Sequence, residues 1–79
     1  MEDTELDHVL TTVGPRLKAL RREQELTLQQ LSERTGISTS TLSRLESGLR
    51  KPTLELLLPL ARAHSVPLDE LVDAPSTGD

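Results

Sequence analysis

Four residues carry the clearest chemistry in this sequence: Thr39, Ser40, Ser43 and Arg44. At about 100° per residue along a helix they cluster on one side, nearly opposite Leu42 and Leu45. Three hydroxyls and a guanidinium on one helix face have the size and hydrogen-bonding capacity to reach base edges and phosphates. A polar face is common to surface helices, so its neighbours must supply the specificity. Other chemistries find less support. The chain has no cysteine, which excludes disulfides and thiolate metal sites. Its two histidines, His8 and His64, are too few for a metal cluster, and a packed or half-exposed His64 is expected over a ligand. The sequence lacks a Ser-His-acid constellation with workable spacing and a phosphate-binding glycine loop, so an enzyme is not expected and no cofactor is implied.

The elements that must position the four residues lie between Leu26 and Lys51, LTLQQLSERTGISTSTLSRLESGLRK. This stretch predicts two short helices around a tight turn. Thr27 and Gln30 have the spacing of a capping box. Gly36 stands where a left-handed residue ends a helix. Ser38 can cap a second helix over about 38–47, and Gly48 can close it. Two helices separated by a few residues with a glycine between them fit a helix-turn-helix.

The run is part of a longer series: K-A-L-R-R-E at Lys18 to Glu23, then L-T-L-Q-Q-L, T-G-I-S, S-T-L-S-R-L-E-S-G, K-P-T-L and V-P-L-D-E-L. In this order, over about Val13 to Val72, the series resembles the helix-turn-helix domain of phage repressors, Cro proteins and many small bacterial regulators. The most specific part is S-T-L-S-R-L-E-S-G joined to K-P-T-L. The resemblance implies an all-α, lambda repressor-like bundle of about five short helices that binds double-stranded DNA in the cytoplasm. Thr39, Ser40, Ser43 and Arg44 would read bases. Gln29, Ser38, Arg50 and Lys51 would meet phosphates, although Gln29 could equally be plain solvent-exposed surface. Arg21 and Glu46 would form a structural ion pair. A homodimer on DNA is implied, and a cupin-like C-terminal sensor commonly follows such a domain. An alternative is a protein-interaction module on the same fold, antitoxin-like or coactivator-like.

Charge distribution bears on that choice. The net charge is −4, yet positions 14–53 hold eight Lys or Arg against four Glu, while the flanks hold nine acidic residues and only Arg62. A basic middle on an acidic body can bind DNA, with weaker non-specific affinity because that component follows phosphate neutralisation. There is no aromatic residue, so base stacking, on which most single-strand and RNA readers rely, is not the binding mode.

The rest of the 79-residue chain reads as one small domain at 6–73, with a tail at 1–5 and a linker or tail at 74–79. No apolar run approaches the ~20 residues of a membrane span, and the acidic start lacks a signal-peptide layout. Leu6, Leu10, Val13, Leu17 and Leu20 form a helical stripe across Gly14-Pro15. Either one kinked helix covers about 6–23, or the main helix begins at Pro15; the unbroken stripe favours the first. Thr53 should cap a fourth helix with a kink near Glu55 to Pro59, and the resemblance places Leu54, Leu57, Leu60 and Ala61 in the core. Leu56 and Leu58 are left over, as a subunit contact or as scattered surface leucines. Leu68, Leu71 and Val72 should turn inward from a last short helix.

Overall fold

The computed structural model describes residues 4–72, with side-chain environments from Leu10 onward. The expected linker at 74–79 and most of the expected tail lie outside the described residues. Five helices follow in order: α1 (Thr4–Glu23), α2 (Leu28–Thr35), α3 (Thr39–Ser47), α4 (Leu54–His64) and α5 (Leu68–Leu71). Among the described residues all regular structure is helical.

The first helix runs continuously through Pro15. Its apolar stripe explains this. Val13 and Leu17 are buried, whereas Pro15 lies on the far side of the helix and is exposed, so the bulk of its ring meets water. The helix begins two residues before the expected start, taking in Thr4 and Glu5.

The caps of α2 and α3 follow their sequence signals. The Thr27 hydroxyl accepts from the Gln30 amide at 3.0 Å, and the Gln30 side chain accepts from the Thr27 amide at 2.8 Å. Gly36 and Gly48 close the two helices with φ of 80° and 83°, a region where an L side chain is strained. Removing one hydroxyl should therefore be measurable. Thr27→Ala is expected to lower stability by about 1 kcal/mol, read from the urea midpoint; an unchanged midpoint would show that water replaces the cap at no cost.

The fourth helix departs from expectation at two places. Thr53 stands at its N-cap with extended backbone but makes no side-chain capping bond. Leu54, expected in the core, is 58% exposed. The buried stripe comprises Leu57, Leu60, Ala61 and His64; Leu54, in the first turn, lies outside it. As expected, Pro59 lies inside the helix, which is continuous from Leu54 to His64. Proline withholds a donor from the carbonyl four residues back, which here belongs to exposed Glu55, where water can serve it. Leu56 is half-buried against the core, and Leu58 is 42% exposed.

The core joins all five helices: Val13, Leu17, Leu31, Leu42, Leu45, Leu57, Leu60 and Leu71 are buried together with Leu26 and Ile37 from the loops. Gly14 is a point of close backbone approach. A Cβ built there would lie 2.6 Å from the Leu45 carbonyl oxygen and 2.7 Å from that of Glu46. Gly14 is thus the notch into which the backbone of α3 fits.

Candidate nucleic-acid interface

The polar face of α3 is held rigidly at both ends and from behind. At its start, the Ser38 hydroxyl accepts from the Thr41 amide at 3.2 Å and donates to the Thr41 hydroxyl at 2.9 Å. At its end, the amides of Leu49 and Arg50 both donate to the Arg44 carbonyl, at 2.8 and 3.2 Å. Behind it, Leu42 and Leu45 are each 2% exposed. Thr39, Ser40, Ser43 and Arg44 are left outward and exposed.

The remaining site residues are positioned by the same devices. Arg50 and Lys51 are exposed in the loop after α3, and the backbone bond from Arg50 ties that loop to the level of Arg44. Gln29 is exposed in the first turn of α2. Ser38 is exposed, but its proton is already directed at Thr41, so toward a phosphate it would have to give up that bond. The packing of α2 against α3 fixes Gln29 relative to the α3 set.

Arg21 and Glu46 tie this surface to the body of the domain. Arg21 Nε donates to Glu46 Oε2 at 2.7 Å and Nη2 to Oε1 at 3.0 Å, a two-pronged pair across 25 positions. Nη1 donates to the Leu26 carbonyl at 2.9 Å. One guanidinium thereby joins α1, the turn into α2, and α3. The side chains are 15% and 8% exposed. Hydrogen bonding to the Glu46 carboxylate raises the Arg21 pKa above its ordinary value, against the opposing effect of burial.

Three contacts escape sequence reading. Gly14 looks like a helix breaker beside Pro15, but it is buried at the crossing of α1 with α3. Gln24, which reads as part of a polar turn, bonds His64 across 40 positions. Arg16 Nε donates to the Glu70 carbonyl at 2.7 Å, joining α1 to α5. The only forward signal was at His64, a histidine where the resembling family usually has a leucine. Among the described residues no group of His, Asp and Glu could hold a metal, and no helix is long and apolar enough to cross a membrane.

A short capped helix carrying hydroxyls and cations outward, braced by a second helix at its back, defines a helix-turn-helix regulatory domain. The comparisons agree: the sequence model described as "Helix-turn-helix" matches residues 17–71, and the chain belongs to that family, the XRE-type transcriptional regulators. An uncharacterized HTH-type transcriptional regulator, y4dJ, of Sinorhizobium fredii is 45% identical over 60 residues, covering 76% of this chain and 78% of the relative. The immunity repressor protein of Bacillus phage phi105 is 38% identical over 61 residues, 77% of this chain and 42% of the repressor. The crystal structure of the restriction-modification controller protein C.AhdI from Aeromonas hydrophila superposes with a TM-score of 0.75 at 32% identity, covering 78% of this chain and 94% of that one. The chain spans about half the length of several relatives, 51% of YobD from Bacillus subtilis for example.

Proposed function

We propose that this domain binds double-stranded DNA sequence-specifically, with α3 in the major groove, as a homodimer acting in the cytoplasm. The observation that carries this is the fixed, exposed row Thr39, Ser40, Ser43 and Arg44 on a helix whose opposite side is core. Arg44 is assigned a bidentate contact to a guanine, since its fork matches the O6 and N7 acceptors. The three hydroxyls take shorter contacts to bases or phosphates. Arg50 and Lys51 neutralise phosphates, which positions the domain without reading sequence. Gln29 and the N-terminus of α2 approach the backbone beside them, where free amides and a partial positive charge suit a phosphate. In a two-fold dimer the two α3 helices would enter half-sites one helical turn, ~34 Å, apart.

The test is selection of sites from random duplex DNA with the intact protein at near-physiological salt. A palindrome with half-sites one turn apart is the expected result. Against that site, Arg44→Ala should cost about 1–3 kcal/mol of binding and relax preference at one base pair. Arg50→Ala should weaken all sequences alike and flatten the salt dependence. Unchanged preference in the Arg44 variant would remove it from the readout.

A second reading, a protein-interaction module, draws on one observation. Leu49 is 81% exposed and, with Leu10 and Pro52, lines a groove of about 530 Å³ between α1 and the loop after α3. Failure to enrich any site, with binding that vanishes as salt rises, would favour it.

A further inference from the structure

His64 fills a position where a leucine would pack without any polar requirement. It is 2% exposed at the end of α4. Its contacts fix its protonation. Gln24 Nε2 donates to the His64 carbonyl oxygen at 2.9 Å. A carbonyl can only accept, so the amide of Gln24 is oriented unambiguously and presents Oε1 to the ring. The ring nitrogen Nδ1, 2.8 Å from that oxygen, must therefore carry the hydrogen. In a neutral imidazole the other nitrogen is then a bare acceptor. That nitrogen, Nε2, is buried and has no hydrogen-bond partner.

We infer that His64 is an acid-sensitive latch: in both protonation states its Nδ1–H can hold Gln24, but protonation at Nε2 places a charge and an unpaired N–H in the core and so destabilises the packing of the end of α4 that the neutral ring supports. The surroundings work in the same direction. Burial is the largest influence and opposes the charged form; Arg34 from α2 and Arg21 from α1 oppose it too, and Glu46 from α3 favours it. Glu46 is already engaged on both oxygens by Arg21, so part of its charge is offset before it acts on the ring. Asp69 and Glu70 of α5, which packs on α4, are not among the groups that act on the ring. The His64 pKa is accordingly held below its ordinary value in the folded domain.

The direction of the linkage follows. At pH values above the ordinary histidine pKa, about 6.5, both folded and unfolded chains carry neutral His64 and stability is full. As pH falls through that value the unfolded chain binds a proton first, and stability is lost until the lower, folded pKa is passed. Urea unfolding of wild type and His64→Gln at pH 7.5 and 5.5 tests this, because the carboxylates titrate alike in both. The folding equilibrium constant of wild type should fall more than that of the variant, by a factor of at most about ten, the limit set by an unfolded pKa near 6.5. Equal losses in the two proteins would overturn the latch.

Should His64→Gln fail to fold, nitrogen and proton NMR of wild-type His64 decides the matter. The latch requires the Nδ1–H tautomer and a midpoint below that of a free histidine; the Nε2–H tautomer, or a midpoint at or above about 6.5, would refute it. Both readouts are of folding and protonation, so they stand whether or not the DNA reading holds. Where that reading holds, affinity for the selected site should also fall with acidity more steeply in wild type than in His64→Gln.

Discussion

Glu46→Ala is expected to remove about 3–5 kcal/mol of stability, the cost of stranding one member of a largely buried ion pair. Arg21 keeps its charge in the variant and loses two of its three bonds. A chain of this size has roughly 4–12 kcal/mol in total, so the variant should be extensively unfolded at 37 °C. Urea unfolding followed by helical circular dichroism gives the number. A companion variant separates the pair's net worth from the cost of breaking it. Replacing both partners, Arg21→Met with Glu46→Leu, removes the stranded charge and should recover most of the loss, since apolar replacements of buried pairs are often neutral. A loss below about 1 kcal/mol for Glu46→Ala would place the pair with ordinary surface salt bridges.

The second large effect runs against helix propensity. Within a helix, Gly→Ala normally gains about 1 kcal/mol. At Gly14 it should instead cost about 3 kcal/mol, the upper part of the overpacking range. The added methyl would meet two backbone carbonyl oxygens of α3 at 2.6 and 2.7 Å, and backbone cannot swing aside as a side chain can. Either α1 or α3 must shift. Because α3 carries the face proposed to read bases, the selected DNA site should bind more weakly than the fraction of folded protein accounts for. Thermal unfolding and titration of that site, compared on one preparation, check both parts. A stabilised Gly14→Ala would mean that the two helices part at no cost.

Gly14 also shows where sequence reading stops. Beside a proline it reads as an interruption, and only the crossing partner, the backbone of Leu45 and Glu46 far downstream, reveals it as a notch. Leu54, which the resemblance places in the core, is 58% exposed, because the buried stripe of α4 runs through Leu57, Leu60, Ala61 and His64. Gln24 is polar and sits in a turn, and its bond to His64 spans 40 positions. The ion pair was reachable through resemblance alone, because nothing local in K-A-L-R-R-E points to Glu46.

By itself the sequence determined the number and order of helices, the capping box at Thr27 and Gln30, the closing glycines at 36 and 48, and which side of α3 carries Arg44. These depend on interactions a few positions apart, within about one turn of chain, where periodicity and residue type are sufficient. The tertiary structure decided that α1 passes unbroken through Pro15, that Gly14 admits α3, that Leu54 faces water, and that His64 is locked to Gln24. Each of these depends on surfaces brought together by the fold, where the outcome is set by which backbone lies opposite and how much water remains between.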